Sequence, residues 1–154
     1  MEVVLPGESF ENLKVWQKAH ELMLFVHREV VPLLPKEEKW DLADQLRRSS
    51  KSVGANIAEG YGRFHYTDRV RFCYHARGSL TETEDHLIDA QHLEYISPQI
   101  DQKGHDLASE AQRLLNGYTD YLKREKPGKD EPGIDINVDH GRFNFDDDDL
   151  IPDP

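Results

Sequence analysis

The chain has 154 residues, of which 37% are hydrophobic and 32% charged, and its formal net charge is −11. This length suits one compact domain and is short for two. The acidity is uneven, because residues 127–154 carry a net charge of −7 and residues 1–126 only −4. The single cysteine, Cys73, excludes an intrachain disulfide and argues against a cysteine-ligated zinc site.

No targeting or membrane-spanning segment is evident in the sequence. The first residues lack the basic and apolar parts of a signal peptide. The longest apolar run in a predicted helix, residues 22–26, is far too short to cross a bilayer. We therefore expect a soluble, cytoplasmic protein with no membrane partner.

The first two predicted helices each carry one apolar stripe with a spacing of three or four residues. The first stripe consists of Leu13, Trp16, Ala19, Met23, Val26 and Val30. Pro32 and Pro35 end it. The second stripe consists of Leu42, Leu46, Ser49, Val53, Asn56 and Ile57. Gly60 and Gly62 come next and predict the left-handed turn that commonly closes a helix.

The third and fourth predicted helices show the same pattern. Thr67 is the predicted cap of the third, whose stripe consists of Cys73, Ala76, Leu80, Thr83, Leu87 and Ala90. Ser97 before Pro98 predicts the start of the fourth, a capping side chain followed by proline at the first helical position. Its stripe consists of Ile100, Leu107, Ala111, Leu114, Tyr118 and either Tyr121 or Leu122.

Four amphipathic helices joined by short loops predict an all-α protein. We expect an antiparallel up-down-up-down four-helix bundle over residues 1–126, followed by a flexible acidic C-terminal tail over residues 127–154. The tail is too short and too charged to build its own core. An alternative is that the tail is an extended segment docked on the bundle or on a neighbouring subunit, because apolar and polar residues alternate over residues 134–139.

A polar cluster closes the second predicted helix. Asn56 and Glu59 share a helix face, and Arg63 lies just beyond the helix end. We interpret the amide and the carboxylate as structural groups that hold the adjoining turn; a ligand or subunit contact is the alternative. In the third helix, Gly78 predicts close helix–helix approach opposite a bulky side chain such as Trp16.

Catalytic and metal-binding motifs are missing from the sequence. A di-iron bundle needs two Glu-x-x-His motifs, and none is present. The eight histidines are scattered, which predicts solvated surface groups for most of them, with Glu82 and His86 as a surface pair. Neither a phosphate-binding loop nor a Gly-x-Ser-x-Gly nucleophile elbow occurs. We therefore expect no enzymatic activity, no bound metal and no cofactor.

The basic residues are better candidates for function. Six of them fall on the second helix and on the turn and helix after it: Arg47, Arg48, Lys51, Arg63, Arg69 and Arg71. They predict a positive patch at one end of the bundle, within reach of nucleic-acid phosphates. The alternative is that they pair with acidic side chains of the same or a neighbouring subunit.

Several separate stretches carry a family resemblance: residues 10–19, 45–48, 56–60 with Arg63, and 78–82. They resemble a family of four-helix-bundle proteins that includes the proteins encoded within intervening sequences of bacterial large-subunit ribosomal RNA genes. The accessory protein of diversity-generating retroelements belongs to the same family. The resemblance implies a homo-oligomer, a pentamer in the retroelement members, that binds RNA and a partner protein such as a reverse transcriptase.

These features together predict a non-enzymatic, homo-oligomeric scaffold. Five apolar residues outside the main stripes are candidates for the subunit interface: Val15, Leu22, Phe25, Phe72 and Leu115. The alternative is a module that interacts only with proteins, or a regulatory module whose acidic tail masks the basic patch, with no role in nucleic-acid binding.

Overall fold

The computed structural model describes residues 9–130, which form four α-helices and no strand. The helices are α1 (Lys14–Phe25), α2 (Leu42–Tyr61), α3 (Tyr66–His92) and α4 (Pro98–Glu125). Helix α1 packs against α2 and α4, and α3 packs against the same two helices, so α1 and α3 occupy opposite corners. This arrangement confirms the predicted all-α bundle. Residues 131–154, most of the predicted tail, lie outside the described residues.

The predicted stripes of α2 and α3 form much of the core, whereas the buried face of α4 differs from its predicted stripe. Of that stripe only Ala111 and Leu122 are buried and Tyr121 is 47% exposed, while Ala108, Leu115 and Thr119 are buried instead. All six members of the α3 stripe are buried, and Leu46, Leu80 and Leu87 have no solvent exposure. Burying a leucine side chain stabilises the fold by roughly 1.5–3 kcal/mol relative to leaving it exposed. No helix within residues 9–130 combines the length and the apolar character that a membrane span requires.

The buried surface is wider than the predicted stripes. Val15, Leu22, Phe25 and Leu115 are at most 4% exposed and belong to the core, so their prediction as interface residues was wrong. A helix in a globular protein buries a face wider than 100°, and neighbouring residues, which are 100° apart, can therefore both be buried. Phe72, the fifth candidate, is half-buried.

Helix α1 ends in an irregular stretch. A π-helical turn over Val26–Val30 comes directly after it, and the N–H of Val31 donates to the carbonyl of Val26, five residues earlier. A 3-10 turn then covers Val31–Leu33, with Pro32 inside it. Both Val26 and Val30 remain fully buried. The predicted stop at the prolines is confirmed, and the wide turn keeps the last apolar side chains in the core.

One of the predicted helix ends is confirmed and two differ from the structure. Ser97 caps α4 as predicted, with its Oγ 3.2 Å from the backbone nitrogen of Ile100. Helix α3 is capped by His65, whose Nδ1 accepts from the N–H of Thr67 at 3.3 Å, so Thr67 is not the cap. Gly62 has φ of −74°, not the predicted left-handed value, because its N–H continues the right-handed turn by donating to Ala58 and Glu59.

Hydroxyl groups join α2 to α3. The Oγ1 of Thr83 donates to the Oγ of Ser49 at 2.9 Å, and the Oγ of Ser79 donates to the Oγ of Ser52 at the same distance. Ser49 and Thr83 are buried, so each hydroxyl needs a partner inside the protein, and the hydrogen bond between them supplies one.

Candidate functional site

The six predicted basic residues lie in two groups rather than one. Arg47, Arg48 and Lys51 occupy the first half of α2. The other three lie beyond its far end, and about 15 Å of helix separates Lys51 from Tyr61 at 1.5 Å per residue. The two groups therefore lie on different parts of the bundle surface.

The first group is engaged with its own chain. The Nε of Arg48 lies 3.1 Å from an oxygen of Asp44, and the Nη2 of Arg47 donates to the carbonyl of Lys39 at 2.9 Å. Lys51 lines an open apolar groove of about 250 Å³ between α1 and α2. Arg48 thus pairs with an acidic side chain of its own chain, as the alternative predicted, and so do Arg63 and Arg71.

The second group surrounds two aromatic rings, and we call it the turn cluster: Tyr61, Arg63, Arg69, Arg71 and Phe72. The guanidinium carbons of Arg63 and Arg71 lie 5.1 and 5.6 Å from the centre of the Phe72 ring. That of Arg69 lies 5.6 Å from the Tyr61 ring. The structure thus brings three predicted arginines together with two rings that the sequence analysis did not assign to the site.

A glycine positions the turn cluster. A Cβ on Gly60 would lie 2.8 Å from the Cβ of Phe72 and 3.3 Å from the carbonyl oxygen of Arg69, so only glycine lets α3 approach α2 this closely. The Nε of Arg69 then donates to the carbonyl of Arg63 at 2.7 Å and ties the turn to α3. Gly60 lies within α2 and allows this close approach, so its predicted role in a left-handed turn was wrong.

The cluster also borders the phenol of Tyr118, which is half-buried. Burial raises the pKa of Tyr118 to about 12, while the positive charge of Arg69 acts in the opposite direction. Tyr118 therefore stays neutral at physiological pH and contributes no negative charge beside the arginines.

Two carboxylates accompany the cluster. Glu59 lies 3.1 Å from the Nη2 of Arg63, and Asp68 lies 3.7 Å from the Nη2 of Arg71. The Glu59–Arg63 pair agrees with the predicted structural role of Glu59. Both pairs join residues three or four apart on partly exposed surface, where such pairs contribute only about 0.3–0.5 kcal/mol. A stronger anionic ligand could displace them at small cost.

Charge is unevenly distributed along the bundle. The end that carries the turn cluster, residues 9–16, 55–75 and 115–130, has eight Lys and Arg against six Asp and Glu. The larger remainder of the described chain, residues 17–54 and 76–114, has ten against fourteen. We call these two parts the basic end and the acidic end. The turn cluster therefore lies in the part with net positive charge.

The remaining predicted signature residues lie away from the cluster. Asn56 donates from its Nδ2 to the carbonyl and Oγ of Ser52 at 2.8 and 3.0 Å, so it supports the α2–α3 contact and not the turn. The indole of Trp16 faces Gly54, where a Cβ would lie 3.3 Å from its Nε1. The predicted approach of Trp16 to Gly78 was wrong, because α1 and α3 are diagonal partners.

Within the described residues, His65 and His86 are buried. His65 caps α3, and His86 lies 3.3 Å from Glu82. The prediction of Glu82 and His86 as a surface pair was therefore wrong for His86, which is only 8% exposed. Within residues 9–130, Asp85, His86 and Asp89 form a group whose ligand atoms lie within 4.8 Å of one another. Two members are exposed, and three ligand atoms are one fewer than a structural zinc site uses. We assign no metal to this group.

Comparisons with known proteins agree with the fold and the resemblance. The family model described as 23S rRNA-intervening sequence protein matches residues 11–117. A crystal structure of a protein of unknown function from the S23 ribosomal protein family of Bacteroides thetaiotaomicron is similar, with 26% identity and a TM-score of 0.62. The match covers 68% of this chain and 97% of that one. The search of curated proteins gave no match. The chain belongs to the 23S rRNA-intervening sequence protein family.

Proposed function

We propose that this protein is a non-enzymatic RNA-binding bundle whose turn cluster contacts the RNA. The observation that carries the proposal is the placement of three guanidinium groups beside two aromatic rings at the basic end. Arginine pairs with phosphate through its planar fork and also stacks on bases. Aromatic rings stack on unpaired bases, so the combination suits RNA better than it suits a simple anion. The family description, which refers to an rRNA intervening sequence, supports the same partner.

Existing contacts of the arginines do not oppose this role. Glu59 and Asp68 form partly exposed pairs with arginines three or four residues away, and RNA phosphates would replace them at a cost of about 0.3–0.5 kcal/mol each. Each phosphate that is neutralised releases counterions, which makes the affinity depend on salt with a slope of about −0.7 per contact for single strands. Three contacts predict a slope of about −2.

Assembly and protein partners remain predictions. The apolar residues first considered for a subunit interface are core residues, apart from Phe72, which belongs to the turn cluster. A homo-oligomer would present several turn clusters at once, and multivalency would then raise a modest affinity per subunit. A partner protein such as a retroelement reverse transcriptase also remains a prediction from the family resemblance.

Salt-dependent RNA binding by two matched double variants tests the proposal. Arg63 and Arg71 are changed to Gln in one variant, and Arg47 and Arg48 in the other, so both lose the same charge. Arg69 is left unchanged because its Nε holds the turn together. Binding of a fluorescent single-stranded RNA is measured by anisotropy between about 50 and 200 mM salt, and circular dichroism checks the fold.

We expect the Arg63/Arg71 variant to lose about 1.4 units of salt slope and at least about tenfold in affinity at the lowest salt. The Arg47/Arg48 variant should lose far less. Phe72→Leu should weaken binding at all salt concentrations without changing the slope, because it removes stacking and keeps the charges. Equal losses in the two double variants would refute the turn cluster as the site.

A further inference from the structure

The chain leaves α4 by crossing the turn that carries the cluster. Lys126 caps α4 in a left-handed conformation, with φ of 49°, and redirects the backbone. Gly128 has φ of 76°, and a Cβ there would overlap the carbonyl oxygen of Phe64 and lie 3.2 Å from the Cα of His65. The backbone of residue 128 therefore rests on the backbone between α2 and α3, immediately after Arg63.

The segment that begins there has the opposite charge to the surface where it starts. Residues 131–154, which we call the acidic segment, contain eight Asp and Glu and one Arg. Four of the carboxylates are consecutive, at positions 146–149, and Phe143 and Phe145 come just before them. Carboxylates and aromatic rings are the groups that guanidinium and Phe72 would accept in place of phosphates and bases.

We propose that the acidic segment occupies the turn cluster of its own molecule and competes there with RNA. The occupancy rests on the exit path and the charges, while the competition also rests on the proposed function. The first of the four consecutive aspartates comes 16 residues after Asp130. Sixteen residues reach up to about 53 Å when fully extended, enough to cover the whole cluster from Gly128.

Tethering favours this occupant over a second copy of the chain. A short flexible linker gives an effective concentration of the order of millimolar, far above the concentration of another molecule in a dilute solution. Contacts too weak to hold two separate molecules together therefore suffice within one. Because these contacts are weak, RNA can displace the segment. The segment therefore lowers the apparent affinity for RNA without abolishing binding.

A charge-matched pair of full-length variants tests the occupancy without RNA. In the first, the four aspartates at positions 146–149 become Asn. In the control, four exposed carboxylates of the acidic end are neutralised: Glu37, Asp85, Asp89 and Glu94. NMR spectra of the arginine side-chain N–H groups and of Phe72 are compared with those of the unaltered chain. We expect the resonances of Arg63, Arg69, Arg71 and Phe72 to move in the first variant and to stay in place in the control.

The exit path has its own test. Gly128→Ala places a side chain against the Phe64 carbonyl at a backbone conformation that alanine rarely adopts, so it should shift the start of the segment and move the same resonances. Gly117→Ala is the matched control, because a Cβ there meets nothing within 4 Å. Identical cluster resonances in both glycine variants would refute the role of the exit path.

RNA affinity separates failure of this inference from failure of the proposed function. If both hold, the variant with neutral positions 146–149 binds RNA roughly 3- to 10-fold more tightly than the carboxylate control at low salt. If the resonances move but no variant binds RNA, the segment occupies the cluster and the proposed function is wrong. If RNA binds both variants equally and the resonances do not move, the inference is wrong and the proposed function stands.

Discussion

The two ends of the bundle are closed by similar packing and carry different chemistry. At the basic end Gly60 admits the Cβ of Phe72, and at the acidic end Gly104 admits the tip of Leu87 and the edge of Phe25. Both ends hold ion pairs and cations beside rings, but the basic end gathers three guanidinium groups around two rings, whereas at the acidic end Lys103 places one ammonium group 5.1 Å from the Phe25 ring and 3.1 Å from Glu29. The fold alone therefore does not show where the functional site lies; the side chains at each end indicate it.

The largest predicted effect is a loss of folding stability at alkaline pH, caused by Cys73 at the basic end. Burial raises the pKa of Cys73 from 9.0 to about 11, so between these values the thiolate forms more readily in the unfolded chain. The folding stability that the protonated Cys73 thiol contributes is fully present below pH 9 and is lost as the pH rises to 11. The total loss is on the order of 2–3 kcal/mol. Urea unfolding of Cys73→Ala should show a flatter decline over this range. Equal declines in both proteins would contradict the prediction.

Replacing one glycine at each end should lower the unfolding free energy more at the basic end than at the acidic end, by about 1 kcal/mol or more. Gly60→Ala should destabilise the fold by about 2 kcal/mol, because the new Cβ meets another Cβ and a backbone oxygen that cannot move away. Gly104→Ala should cost less than about 1 kcal/mol, since the rotatable tip of Leu87 can shift and alanine favours the helix.

Chemical denaturation measures both glycine variants. Gly117→Ala serves as the reference for helix propensity alone and should stabilise the protein by up to about 1 kcal/mol. A greater cost at Gly104 than at Gly60 would show that the acidic end is the more rigid one.

Removing a buried hydroxyl should cost about 1–2 kcal/mol. Thr83→Val takes away the hydrogen bond to Ser49 and leaves that hydroxyl buried without its partner. Thr81→Val is the control in the same helix, because Thr81 is exposed and donates only to the carbonyl of Arg77. Thermal melting compares the two variants, and equal Tm values would show that the hydrogen bond between Thr83 and Ser49 does not stabilise the protein.

The smallest effect should come from a helix cap at the acidic end. Ser97→Ala removes the acceptor for the N–H of Ile100 and should cost about 1 kcal/mol. Ser109→Ala, at an exposed position within α4, controls for the loss of a hydroxyl alone. A Tm for Ser97→Ala no lower than that of Ser109→Ala would contradict the capping role.

Local periodicity predicted most of the fold. The α3 stripe from Cys73 to Ala90 is buried throughout, and Ser97 caps α4, because both depend on neighbours in the sequence. The assignment of Val15 and Leu115 to an interface was wrong, because a three-to-four spacing does not fix the width of a buried face. In α4 it also missed the centre of that face, since Leu115 is buried and the predicted Leu114 only partly so.

The candidate site was only half visible in the sequence. Its three arginines were predicted, but Tyr61 and Phe72 were not assigned to it, because contact between them and the arginines depends on how tightly α3 folds back on α2 at Gly60. The position of Gly128 on the Phe64 carbonyl is likewise a tertiary contact. The tail was predicted to begin at residue 127, but the direction in which the chain continues there was not predicted.

The π-helical turn at Val26–Val30 means that α1 carries one residue more than a regular helix needs over the same path. Loss of a single codon in this stretch, at the exposed Arg28 for example, would convert the wide turn into an ordinary one and leave both neighbouring turns in register. The same deletion in the middle of α3 would rotate every later side chain of that helix by about 100°. Melting curves of the two deletion variants would show whether the bundle tolerates a change of length at this one place.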